Sequence, residues 1–357
     1  MDLLEFYYDN PPKNEHYIER KLQLSNKQYI NLCGARGCGK SAFILDYIAN
    51  SEKNILYIDL EDPKLLMQTY ETLPIDEFIK EFDIQEIVLD HYTDELDLEL
   101  PQVAKLIIVS RIPTTNQHFS IQRLFPLDYE EFLAFEHNSN ETTAFNHFLK
   151  VGTLPLSALY QKSLSLNLKL FFQHQFIENE QSLMLILAKY NTQPLTTHQI
   201  YTYTKEYFRI SKDYVYKILK QFQEEGIIYL IDNAIKRSGK KLIVYDFALA
   251  KYLSTQHSFN TNFDALIAMS LIKHQKEFKT LGVYGYVTTN NELIIPAPFE
   301  SEESIWVKSQ NLYSKYTQYH ISKVTILTVA NNFEFIIGKL SFEAIPYTEW
   351  SIMDDEA

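Results

Sequence analysis

Residues 34–41 read Gly-Ala-Arg-Gly-Cys-Gly-Lys-Ser and match G-x-x-x-x-G-K-[ST] at every fixed position. Three of the nine glycines in the 357-residue chain fall here, at 34, 37 and 39. Such a loop needs a strand before it and a helix after it, so it constrains the fold more than any other segment. Both flanks are present. Residues 27–33 (KQYINLC) read as a short buried strand, and residues 41–49 (SAFILDYIA) place apolar side chains at helical spacing. Glycines let consecutive backbone N–H groups converge on phosphate oxygens, beside the positive end of the following helix. The spacing therefore predicts a nucleoside triphosphate held by Gly34, Ala35, Arg36, Gly37, Cys38, Gly39, Lys40, Ser41 and Ala42. Lys40 is expected between the β- and γ-phosphates, and Ser41 on Mg²⁺.

The segments that follow alternate strand with helix. A second strand over 54–60 runs into Asp59, Glu61, Asp62 and Pro63, and helical material continues to about residue 82. A third strand over 85–89 ends at Asp90, and a fourth over 105–110 ends at Ser110 and Arg111. This alternation predicts an α/β fold, a P-loop NTPase with a doubly wound parallel sheet covered on both faces. An acid ending a buried strand is the expected second protein partner of the metal. Asp59 and Asp90 both qualify. In the ATPase branch of P-loop proteins one strand separates the loop strand from the acid-bearing one, which favours Asp90. Hydrolytic relatives usually carry Glu directly after that Asp, whereas here it is His91. His91 is thus a candidate base near neutrality, and Asp94 or Glu95 reaches the attacking water if the turn folds back. Nucleotide binding is better supported by these residues than fast hydrolysis. Ser110 or Arg111 is placed to sense the γ-phosphate, and Arg111 and Arg123 are candidates for an arginine finger.

Composition narrows the remaining classes. The chain is 46% apolar and carries 12 Pro, so it can bury sizeable cores and is not of low complexity. No apolar run reaches the ~18 residues of a membrane span. The start of the sequence is acidic where a secretory signal would be basic. The two cysteines, Cys33 and Cys38, flank the glycine loop without a disulfide or zinc spacing. The expectation is a soluble, reduced, cytoplasmic protein. Net charge is −13, which argues against nucleic-acid binding by the whole surface. Residues 181–255, however, hold eleven Lys or Arg against six Asp or Glu, a balance of +5 that leaves −18 for the rest.

That basic segment has its own grammar. Helical patterns at 182–190, 197–205 and 211–224 precede two β-rich stretches, 227–231 and 241–245, joined by a turn at 237–240. Three helices and a hairpin are the winged helix-turn-helix pattern. Its third helix carries Lys212, Lys217 and Lys220, and its wing carries Lys236, Arg237, Lys240 and Lys241. These are candidate phosphate contacts for duplex DNA, although winged helices also serve protein contacts. Beyond residue 256 a helix (263–277) precedes strands expected at 281–288, 292–296, 304–308, 322–329 and 333–340.

Several motifs, taken in order, resemble one known group. They are Gly34–Ser41, Ile87–Asp90, Phe125-Pro-Leu-Asp-Tyr-Glu-Glu-Phe-Leu133, Phe148-Leu-Lys-Val-Gly-Thr-Leu-Pro155, and the wing-closing strand over 241–247. The chain resembles the prokaryotic single-chain ATPases that join an AAA-like P-loop domain to a C-terminal domain of unknown function. The resemblance implies ATP with Mg²⁺, an ATPase acting as a switch or regulator, and three parts. These are a P-loop domain with helical extension (1–178), a winged helix (179–255) and a restriction-endonuclease-like α/β domain (256–357). Output is expected through the C-terminal half, to DNA or a partner protein by way of residues 181–255. The nuclease pattern of that group is a helix acid, then Asp on one strand, then Glu-x-Lys on the next. Asp264 fits the helix acid, but Ile294 and Trp306 stand where the strand acids are expected, beside Lys308. Two-metal chemistry needs those carboxylates, so no nuclease activity is expected.

Overall fold

The computed structural model describes residues 3–13, 17, 19–134, 136, 140–236, 239–256 and 258–353. The chain divides into two compact units. The first comprises residues 1–126 with two short segments, 154–156 and 224–226, and the second comprises 127–153, 157–223 and 227–357.

The first unit contains α1 (Leu3–Asp9), β1 (Tyr29–Cys33), α2 (Lys40–Ala49), β2 (Ile55–Asp59), α3 (Ile75–Glu81), β3 (Glu86–Tyr92), β4 (Lys105–Ser110) and β5 (Ser120–Arg123). Its five strands lie in the order β2-β3-β4-β1-β5, and every pair is parallel. Parallel strands covered on both faces require apolar residues in both phases of the pleat, and the sequence supplies them. Leu56, Ile58, Ile87, Leu89, Leu106 and Ile108 bury one face against α1 and α3. Their neighbours Tyr57, Val88, Ile107 and Val109, with Ile30 and Leu32, bury the other against Phe43 and Ile44 of α2. The expected doubly wound sheet is thus present. Its edge strand β5 is an addition, because Ser-Ile-Gln-Arg alternates weakly and is only half-buried.

The second unit begins with helices at Tyr129–Leu133, Glu141–Val151, Leu164–Gln175 and Glu178–Lys189. Helices at Thr197–Tyr207 and Lys212–Glu225 follow, with an antiparallel sheet of β6 (Pro194–Leu195), β7 (Ile228–Ile231) and β8 (Lys240–Val244) in the order β6-β8-β7. Arg237, expected on the turn before β8, lies outside the described residues. The motifs of 125–133 and 148–155 here have structural work. Asp128 caps the 129–133 helix in a capping box with Glu131, and Lys273 Nζ reaches both carboxylates at 2.7 and 2.5 Å. Asp246, fully buried, accepts from Thr153 N–H and Oγ1–H at 2.5 and 2.8 Å while capping the Phe247–Leu253 helix.

The remainder of this unit is helix Phe259–Lys273, strands β9 (Phe278–Thr280), β10 (Tyr286–Thr288) and β11 (Glu292–Pro296), helix Glu302–Gln318, then β12 (Lys323–Thr328), β13 (Phe333–Ile337), β14 (Leu340–Pro346) and helix Tyr347–Met353. The sheet order is β13-β14-β12-β11-β10-β9, with β11, β12 and β14 parallel and the other pairs antiparallel. Three expectations are corrected here. The strand expected at 304–308 is helix, because Ser301 caps Glu302–Gln318 by accepting from Ser304 N–H and Glu302 and Glu303 fill its first turn. Trp306 and Lys308 are therefore helical. The strand expected at 281–288 starts only at Tyr286, because the chain turns between β9 and β10, with the Tyr284 N–H bonded to the Leu281 carbonyl at 3.0 Å and Gly282 at φ +59°. The stretch 333–340 is a hairpin rather than one strand. Among the described residues, no helix is long and apolar enough to cross a membrane.

Candidate nucleotide site

The first unit places the glycine loop between the C-terminal end of β1 and the N-terminus of α2. Gly34 is obligatory on steric grounds, because a Cβ there would sit 2.3 Å from the Leu124 carbonyl oxygen just after β5. Gly39 holds φ +94° as the residue before α2, a conformation that L side chains rarely adopt. Lys40 Nζ folds back over the loop and donates to the carbonyls of Gly34 and Ala35 at 2.8 and 3.0 Å. No carboxylate among the described residues pairs with it. A cation ringed by loop backbone, at a helix N-terminus and without a counter-ion among the described residues, fits an anionic ligand.

The loop is held from outside by a residue that the motif did not reveal. Arg20, buried, donates from Nη1 to Cys38 O at 2.9 Å and from Nη2 to Phe125 O at 2.7 Å. Pro155 closes over Gly39, with its Cγ 3.3 Å from where a Cβ would stand. Cys33 and Cys38 are both buried free thiols, and burial pushes the Cys33 thiol up, so it stays protonated.

Asp90 ends the apolar run of β3, and β4 is the single strand between it and the loop strand. Asp59 lies one strand further out, in register beside Asp90. Asp90 is buried; its Oδ2 accepts from Tyr57 Oη–H at 2.9 Å and its Oδ1 from the His91 N–H at 2.8 Å. Burial, then the Asp90 charge, push the Tyr57 phenol far up, so it is the donor in that bond. Among the described residues no three His, Cys, Asp or Glu side chains form a metal cage. The donors fit Mg²⁺ in its usual mode, held by one carboxylate and a hydroxyl together with phosphate oxygens and water.

His91 has φ +57°, and the register of β3 against β4 slips between Leu89 and Tyr92. This bulge re-aims the imidazole toward β2, where Nδ1 meets Asp59 Oδ1 at 2.6 Å. Nε2 lies 3.9 Å from Glu61 Oε2, and Glu61 in turn lies 3.7 Å from Arg111 Nη2. The Asp59 hydrogen bond raises the His91 pKa; burial opposes this, and the charges of Asp90, Asp59 and Glu61 reinforce it. Asp94 turns elsewhere. Its carboxylate accepts from Thr114 Oγ1–H at 2.6 Å, Thr115 N–H at 2.7 Å and Thr115 Oγ1–H at 2.8 Å. Ser110 is buried, accepts from Asn31 Nδ2 at 2.8 Å and donates to the Ile112 carbonyl at 2.7 Å. The structure thus gathers Asp59, Glu61, Asp90, His91 and Arg111 at the C-terminal edge of the sheet and commits Asp94 to the 114–115 turn.

A family model described as an AAA domain matches residues 26–100. Among solved structures the chain is similar to the Walker-type ATPase of Pyrococcus abyssi, with TM-score 0.42 and 12% identity over 64% of this chain and 91% of that one. It is also similar to a signal transduction ATPase with numerous domains and a tetratricopeptide repeat sensor from Pyrococcus horikoshii, with TM-score 0.31 and 19% identity over 73% of this chain and 46% of that one. A third similarity is to the Orc1 protein of Aeropyrum pernix in complex with DNA, with TM-score 0.28 and 12% identity over 65% and 87% of the two chains. No curated protein matches the chain. The similarity to the AAA domain thus lies in residues 26–100, within the first unit.

Proposed function

We propose that the chain binds ATP with Mg²⁺ at Gly34–Ser41 and works as a nucleotide-dependent switch whose output lies in residues 181–357. The observation that carries this reading is Lys40, ringed by the Gly34 and Ala35 carbonyls at the head of α2, with Asp90 one strand beyond β4. In this reading the N–H groups of residues 35–41 and the Lys40 ammonium hold the phosphates. Ser41 and Asp90 hold Mg²⁺, and Tyr57 orients the Asp90 carboxylate. Arg111 is proposed to face the γ-phosphate, and Ser110 to fix the end of β4 through Asn31.

The helices over 178–225 with the β6-β8-β7 sheet support reading the basic segment as a winged helix. Two of its basic residues are engaged within the second unit, Lys241 with Asp264 at 2.5 Å and Lys240 with Asp232 at 3.0 Å. Lys212, Lys217, Lys220 and Lys236 are the further candidates for contacts to duplex DNA. The C-terminal α/β region is proposed as a folded interaction surface without nuclease action. Asp264 is bound to Lys241 and to Tyr286 Oη–H at 2.6 Å, and β10 carries no acid.

A second reading, a nucleotide-stabilised interaction module without turnover, is favoured by His91, held against Asp59 where a glutamate would polarise water. Steady-state ATP hydrolysis, with and without duplex DNA and with Lys40→Ala as control, separates the two. Turnover lost in Lys40→Ala supports the switch; no turnover under any condition leaves the second reading standing.

A further inference from the structure

Arg36 occupies a variable position of the glycine loop, yet its side chain is buried and held at two points. Nε donates to Glu225 Oε2 at 2.7 Å and Nη2 to Glu225 Oε1 at 2.9 Å, a two-pronged pair between residues 189 apart. The side chains are 2% and 1% exposed. A second arginine reaches the same turn. Arg123 ends β5, in register with Cys33 of the loop strand. It donates from Nη2 to Glu224 O at 3.1 Å and from Nη1 to Glu225 O at 3.4 Å. These carbonyls close the helix Lys212–Glu225, where acceptors lack intrahelical partners and the dipole is negative. Gly226, at φ +80°, ends the helix. Residues 224–226 accordingly count with the first unit although the chain on either side belongs to the second.

We propose that Glu225 is a positioning residue for the phosphate loop, and that the Arg36–Glu225 pair links nucleotide occupancy to the last turn of the Lys212–Glu225 helix. The proposal rests on the nucleotide reading above and names its regulation. The physical reason is local. Backbone N–H groups flanking Arg36 form the phosphate cradle, and a guanidinium anchored at two points fixes the backbone that carries it. Removing the carboxylate takes away both of these anchor points, and the loop backbone that carries the guanidinium is held less firmly. Linkage is reciprocal, so whatever factor the intact pair adds to ATP affinity, bound ATP adds to the stability of the pair and of the helix end that supplies Glu225. A signal that frays this turn therefore lowers affinity without touching the nucleotide.

The test uses the full chain with Glu225→Gln, Arg36→Gln and the double variant, each checked for a cooperative thermal transition. Calorimetry with ATP–Mg²⁺ is expected to give at least fivefold weaker binding for Glu225→Gln, and a double variant no weaker than the worse single one. In wild type, amide exchange over residues 222–226 is expected to slow when ATP–Mg²⁺ is added. Glu225→Gln that folds and binds ATP within twofold of wild type, or more tightly, overturns the proposal. If the variants do not fold, unchanged exchange at 222–226 in ATP-saturated wild type overturns it alone. Wild type that binds no ATP–Mg²⁺ overturns the nucleotide reading instead, which keeps the two failures distinct.

Discussion

His91 Nδ1 and Asp59 Oδ1 lie 2.6 Å apart across neighbouring parallel strands, and a left-handed backbone at His91 brings them together. The Asp59 hydrogen bond holds the His91 pKa above its ordinary 6.5. Burial would raise Asp59, but the bonds from His91 and from the Glu61 N–H outweigh it and hold the carboxyl low. A raised base stabilises the fold fully below its unfolded pKa and loses that contribution as pH rises through its folded value. A lowered acid contributes above its unfolded pKa and loses it as pH falls. The pair's contribution is therefore complete between about pH 4 and pH 6.5 and declines above that window. In buffer free of nucleotide and Mg²⁺, the melting-temperature gap between wild type and His91→Gln is expected to be largest near pH 6 and to narrow by about pH 9. A gap constant over that range contradicts the pairing.

Gly34→Ala tests the steric basis of the loop. A Cβ would stand 2.3 Å from the Leu124 carbonyl oxygen, while the Leu124 N–H is bonded to Cys33 O at 2.8 Å, so β5 cannot move aside freely. The expected loss is about 2–4 kcal/mol, read as a lower urea midpoint at unchanged slope. A loss below about 0.5 kcal/mol would show that the contact relaxes without strain.

Asp246→Ala tests the second unit. The carboxylate accepts from Thr153 N–H and Oγ1–H and from Leu249 N–H, all buried. Its removal leaves buried donors unpaired and uncaps a helix, an expected loss of about 3 kcal/mol or more. Chemical denaturation followed by circular dichroism measures it. Asp246→Asn, which keeps an acceptor, is expected to lose less; equal losses would contradict the hydrogen-bond account.

Much of the first unit is legible in the sequence because a P-loop demands a strand and a helix, and because β2, β3 and β4 carry unbroken apolar runs. The position of Asp90, one strand from the loop strand, follows from that logic. β5 is not legible, since an edge strand of Ser-Ile-Gln-Arg buries too little to leave a pattern. Arg20 and Glu225 are not legible either: each acts on the loop through a contact far along the chain, and no local spacing marks it. The 302–318 helix misleads because Ile305-Trp-Val reads as strand. Its signal lies just before, in a capping serine and two glutamates at 301–303. The 333–340 stretch turns at Gly338, whose φ of +61° makes it a hairpin corner. The conformation of His91 is likewise invisible in sequence, since nothing in Leu-Asp-His-Tyr announces a bulge.

The central claim is that Gly34–Ser41 holds ATP–Mg²⁺ through Lys40. Isothermal calorimetry of the full chain against ATP–Mg²⁺, beside Lys40→Ala, tests it most directly. The account predicts one saturable site in wild type and at least tenfold weaker binding in Lys40→Ala, about 1.4 kcal/mol or more. No binding by wild type, or equal affinity in the two proteins, would contradict it.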